Sequence, residues 1–175
     1  MAALVAFVGL NAGLAFAAAD VVDKLSIQKI IKMKIERTED GIYNLKVLVC
    51  LSNKGKNTVR IRDAEVGVRL EGGGEKIKVG TTRFPEVELA RADPDGVPST
   101  KDVEFTVELG GSSEETVGRM IALFNMICNP KNSPAMLLGG KGVVGIKVER
   151  GWVYQDGVSV DLKFVPSIQR EVLVP

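Results

Sequence analysis

From Leu25 onward, apolar and polar residues alternate with the period of two that a strand shows when one face is buried. Leu25, Ile27, Ile31, Met33 and Ile35 fall on one face, interrupted at Lys29. Tyr43, Leu45, Val47, Val49 and Leu51 repeat the pattern. Between the two runs, Thr38 to Gly41 has turn chemistry ending in glycine, so the first two strands read as a hairpin. The third run changes phase. Val59 and Ile61 lie on one parity, while Ala64, Val66, Val68 and Leu70 lie on the other. A one-residue slip turns every side chain over, so the pattern predicts a bulge or bend near Arg62 and Asp63. A glycine-rich tip, Glu71 to Lys76, leads to a shorter strand around Ile77 and Val79. The stretch from Arg83 to Asp102 holds three prolines and reads as irregular, after which Val103, Phe105, Val107 and Leu109 resume the alternation.

One segment has a different period. Ser112 followed by Glu115 matches a capping box, and Val117, Met120, Ile121, Phe124, Ile127 and Cys128 follow at helical spacing. Asn129-Pro130 stops the run, so a helix is expected over about 113–128, with its apolar stripe in the core. Two more strands, roughly Met136 to Glu149 and Val158 to Phe164, are expected around an Asp156-Gly157 turn preceded by Trp152 and Tyr154. Gly139, Gly140, Gly142 and Gly145 mark bends or close backbone approach within the first of these. About seven strands, one late helix and no βαβ alternation predict a mainly β fold, a β-sandwich.

Residues 1–19 stand apart. They are apolar and carry no charge until Asp20, and Ala15-Phe16-Ala17 is an A-x-A cleavage pattern. A secretory signal fits this end, although no lysine or arginine supplies the usual positive start. The rival is a retained anchor or assembly helix, since the run just reaches the roughly 20 residues that span a bilayer. Either reading places the remainder outside the cytoplasm: in the periplasm or cell envelope, anchored to a membrane, or on an extracellular filament.

Composition narrows the chemistry more than it defines it. The formal net charge is +1, which argues against a nucleic-acid partner. Histidine is absent, which removes the commonest general base and metal ligand. Cys50 and Cys128 cannot make a zinc site alone and read as two buried free thiols, with pairing left open. Asp93 and Asp95, with Asp102 nearby, could offer calcium hard oxygens. The loop lacks the third acid and distal Glu of an EF-hand, and Asp-Pro-Asp-Gly is ordinary turn chemistry. Lys141 is followed by Gly142 and a strand, so Leu138 to Gly142 fails as a phosphate loop. Glu114 and Glu115 suit a helix start. Asp63 and Glu65 alternate with Arg60, Arg62 and Arg69, and read as a solvated face with cross-strand pairs. No catalytic, cofactor or metal site is expected, and no enzyme.

The order and lengths of these parts resemble the group 2 late-embryogenesis-abundant family, the WHy (water stress and hypersensitive response) domain, over residues 24–173. The resemblance is carried by "LKVLVCLSNKGKNTVRIRDAEVGVRL", "TKDVEFTVEL", "ETVGRMIALFNMI" and "GGKGVVGIKVERGWVYQDGVSVDLKF". Where many members have Asn-Pro-Asn in the first of these, this chain has Asn53-Lys54-Gly55, and Asn53 alone carries over, as a turn-former. The resemblance implies an immunoglobulin- or fibronectin-like sandwich with one helix, non-enzymatic and linked to desiccation and stress tolerance. Its expected partners are proteins or an envelope surface, with membrane or self-assembly contact only if residues 1–19 are retained. The alternative is a structural subunit of a filament or envelope assembly that uses the retained apolar helix.

Overall fold

A computed structural model describes residues 18–129, 134–164 and 166. The expected signal or anchor segment, 1–19, lies outside the described residues except for Ala18 and Ala19, which open a short helical stretch over 18–22. Its Ala18, Val21 and Val22 are buried in the core.

Among the described residues, eight strands form two antiparallel sheets. The first sheet holds β1 (Leu25–Arg37), β2 (Tyr43–Asn53) and β6 (Ser99–Gly110), with β2 in the middle. The second is ordered β4 (Glu75–Phe84), β3 (Val59–Gly72), β7 (Ala135–Val148), β8 (Gly151–Phe164). The short β5 (Val87–Leu89) continues the β4 edge by pairing with Val59 to Ile61 of β3. Inward-facing side chains of both sheets, such as Leu45, Val47 and Val107 from one and Ile61, Val66 and Leu138 from the other, form a single core. Helix α1 (Glu114–Cys128) joins β6 to the segment that precedes β7.

The phase change in β3 has a backbone cause. Asp63 has φ +49°, and it is the one non-glycine among the described residues in the left-handed region. The β3–β7 register shifts between Arg62 and Glu65, so one residue is spent in a bulge. Val59 and Ile61 before it, and Ala64, Val66, Val68 and Leu70 after it, are therefore all buried. Beside the bulge, β7 must come close. A Cβ on Gly140 would collide with the Glu65 carbonyl oxygen, and one on Gly142 would lie 2.6 Å from Ala64 Cβ. These two glycines mark close backbone approach, as their clustering implies.

Asp156-Gly157 departs from expectation. The β7–β8 turn is at Glu149-Arg150, so Trp152 and Tyr154 belong to β8. Asp156-Gly157 instead forms a bulge inside β8, with Gly157 at φ +69° and a register shift across Gly142/Val144. A strand beside a bent neighbour keeps its ladder by bending too, and Asp-Gly suits a bulge as well as a turn. The first strand also needs correction. Shifts at Ile27/Lys29 and Ile30/Lys32 turn Ile30 toward the core, leaving Ile31 39% exposed. The proline-rich stretch contains β5, an eighth strand whose three residues are too few to show a period. The Thr38–Gly41 turn holds as expected, with Gly41 at φ +80°.

Asn53 closes the connection into β3. It is fully buried, and its amide donates to the carbonyls of Asn57 (2.9 Å) and Ala90 (2.9 Å), while its Oδ1 accepts from Gly55 N–H at 2.8 Å. One side chain thus forms the turn and fastens it to the chain leaving β5.

Asp63 gives a direct test of the bend. Asp63→Gly should leave stability within about 0.5 kcal/mol, because glycine accepts φ > 0 and the lost Arg83 pair is exposed. Asp63→Val should lower stability by about 1–2 kcal/mol. Urea unfolding of the two variants measures both.

Candidate functional site

The acidic residues singled out from sequence mostly serve the fold. Asp93 Oδ1 accepts from Val97 N–H at 2.6 Å, and the Asp93 carbonyl accepts from Gly96 N–H at 3.0 Å, which closes the Ala92–Gly96 turn. Asp102 lies on β6 opposite Cys50. Among the described residues, no three carboxylates or thiols converge to hold a metal ion. Glu115 pairs with Arg119 one turn along α1 at 3.2 Å. Asp63 pairs with Arg83 at 2.7 Å, and Arg60 with Glu88, its cross-strand neighbour, at 2.7 Å.

The arginines of β3 have a second role that their alternation did not show. The Arg60 guanidinium carbon lies 4.2 Å from the Trp152 ring centroid, and that of Arg62 lies 3.9 Å from Tyr154. Arg60 also donates to the Tyr154 hydroxyl at 2.9 Å. The rings reach across β7 because Gly145 stands between, where a Cβ would meet Tyr154 Cε1 at 2.5 Å. Cation–π contacts of this kind contribute about 0.5–2 kcal/mol each. They tie the outer faces of β3 and β8 together.

The cysteines are both free, but they differ: Cys50 is buried and Cys128 exposed, against the expectation of two buried thiols. Burial, followed by the neighbouring Asp102 carboxylate, pushes the Cys50 thiol pKa upward. Cys128 ends the helix on its open side.

That open side is the main feature of the surface. Ser113, rather than the expected Ser112, caps α1, and its Oγ accepts from Thr116 N–H at 3.3 Å. Glu115 is therefore at the second helical position, and no capping box forms. Thr116, Leu123 and Met126 are the buried residues of the helix. The stripe expected in the core divides. Ile121 and Phe124 are 57% and 60% exposed, and Val117 is exposed as well. At about 100° per residue, Val117, Ile121, Phe124 and Cys128 lie within about 60° of one another, and the partly buried Met120 and Ile127 lie between them and the buried face. The apolar arc of α1 is wider than the face that the sheets can cover.

Across from this stripe runs the far end of β1. Met33 and Ile35 are partly buried against the core. They and Lys34 form one wall of a groove whose other wall is Val117, Met120, Ile121, Phe124, Ile127 and Cys128. Its volume is about 520 Å³, in the range of small-ligand sites. Among the described residues, Lys34 is the one charged residue that lines it, paired with Glu36 at 2.6 Å. Glu36 also pairs with Lys46 at 2.7 Å, and Lys34 first, then Lys46, draws its carboxyl pKa down to about 2. Beyond Lys34, the described lining offers apolar contact.

No family profile matches the chain, and no curated protein matches it in sequence. Among solved structures it is similar to a protein from Archaeoglobus fulgidus, at 12% identity over 82% of this chain and 99% of the other, with a TM-score of 0.33. No helix among the described residues is long and apolar enough to cross a membrane.

Neighbouring helix residues should respond to truncation in opposite ways. Leu123→Ala, at a fully buried position, should cost about 2–5 kcal/mol. Phe124→Ser should stay within about 1 kcal/mol of the parent protein. Chemical denaturation of the two variants reads the difference.

Proposed function

We propose that the chain is a non-enzymatic, extracytoplasmic, stress-associated stabilising domain of the WHy kind, built as an immunoglobulin- or fibronectin-like sandwich. Its work is to shelter apolar segments of other proteins, exposed by drying or heat, in the groove between β1 and α1. The single observation behind this reading is the stripe of Val117, Ile121 and Phe124, left uncovered by the two sheets on a helix whose other face is anchored in the core.

The physical case rests on differential burial. A globular surface does not usually hold large apolar side chains in one contiguous row unless a partner covers them. Fully covering a side chain of this size contributes about 1.5–3 kcal/mol relative to leaving it in water. Such contact is non-directional, so it suits partners of varied sequence, and an apolar lining with one cation at its rim discriminates little among them. The extracytoplasmic location is supported by the apolar run of residues 1–19 and its A-x-A pattern.

The test is protection of a drying-sensitive enzyme. The purified chain should preserve more activity through drying and rehydration than an equal mass of an inert protein. The double variant Ile121→Ser/Phe124→Ser should fall to the level of the inert protein while keeping its unfolding transition. Parent protein that performs no better than the inert control contradicts the reading.

A further inference from the structure

We infer that residues 167–175, the segment that follows β8, dock in the groove between β1 and α1 and cover it in the free protein. The topology puts the end of β8 at the groove. Helix α1 starts after Gly110, which is opposite Tyr43, which in turn is opposite Arg37 at the end of β1. Near its other end, Met126 packs over Gly72 at the end of β3. Met136, at the start of β7, is opposite Leu70 of β3 on one side and Phe164 of β8 on the other. The helix therefore crosses the end of the core at which both β1 and β8 finish, and β1 lies against β8. Phe164, the last residue of β8, packs partly into the core there.

The other long stretch outside the described residues, 1–17, joins the fold at the opposite end. Leu25 is opposite Asn53, and the Lys24 carbonyl accepts from Lys54 N–H at 3.1 Å. Met33 is eight residues further along β1, about 26 Å at strand spacing. β8, by contrast, ends at the end of the core that α1 crosses. From Phe164 to Pro175 there are eleven residues, which reach up to about 36 Å.

Its composition matches the groove. Ile168, Val172, Leu173 and Val174 supply apolar side chains, and Arg170 and Glu171 offset each other, so no net charge is brought against an apolar wall. Short linkage gives the segment an effective concentration on the order of millimolar. A segment of only about 0.1 mM intrinsic affinity is then docked roughly ten to one over undocked. Joined to the stabilising function proposed above, on which this consequence rests, the segment competes with clients and must be displaced by them.

Cys128 lines the groove and reports its occupancy. The rate of its alkylation by N-ethylmaleimide, followed by mass spectrometry on the full chain, should rise about tenfold in Ile168→Asp/Leu173→Asp. Adding a synthetic peptide of residues 167–175 to that variant should restore the slow rate. Equal rates in parent and variant overturn the inference. So does protection that grows with protein concentration, which assigns the groove to a second copy. Protection lost in Leu4→Asp/Val5→Asp instead assigns it to the amino-terminal stretch and also overturns the inference. The assay contains no client, so docking stands or falls independently of the stabilising function.

Discussion

The second sheet depends on one backbone conformation, that of Asp63. Without the left-handed residue, the chain entering β3 on the parity of Val59 and Ile61 would present Glu65 to the core and Ala64, Val66, Val68 and Leu70 to water. With it, both halves of β3 bury their apolar side chains, and the neighbours must follow. Gly140 and Gly142 let β7 approach the bulge, and β8 takes its own bulge at Asp156-Gly157. On the outer face, Arg60 and Arg62 meet Trp152 and Tyr154 across Gly145, which ties the bent strands together where the ladder shifts.

The bent sheet leaves a core open at one end, and α1 crosses that end. A straight helix can seat only one face on such a rim. Thr116, Leu123 and Met126 take that face, and the arc of Val117, Ile121, Phe124 and Cys128 is left opposite Met33 to Ile35 of β1. The groove is thus a consequence of how the sheets are closed. Lys34, held by Glu36, marks its polar edge. Apolar contact of the kind such a lining offers is non-directional.

Much of this was legible in residue patterns, and the failures have physical reasons. The parity change around Asp63 and the Thr38–Gly41 turn follow from period two and turn chemistry, the turn-forming role of Asn53 is what the resemblance implies, and the structure has all three. The glycines of β7 were readable as close contacts, although not as partners of a bulge, because that depends on which strand lies beside them. Asp156-Gly157 was misread as a turn, since Asp-Gly serves turns and bulges alike and only pairing separates them. Ile31 and the double bulge of β1 escaped because two slips restore the original phase. The groove was hidden for a deeper reason. Periodicity shows that a helix has an apolar arc, but it does not show how much of that arc the rest of the fold can cover. Leu123 and Phe124 look alike in sequence, yet one is fully buried and the other 60% exposed.

The methionines provide the most direct measurement of client binding at the groove. Met33 and Met120 line it, whereas Met126 and Met136 are buried in the core. In protein labelled at the methionine methyl groups, titration with an unfolded client should shift or broaden the Met33 and Met120 resonances while Met126 and Met136 stay unchanged. Four unmoved resonances, or changes confined to Met126 and Met136, would contradict a binding role for the groove.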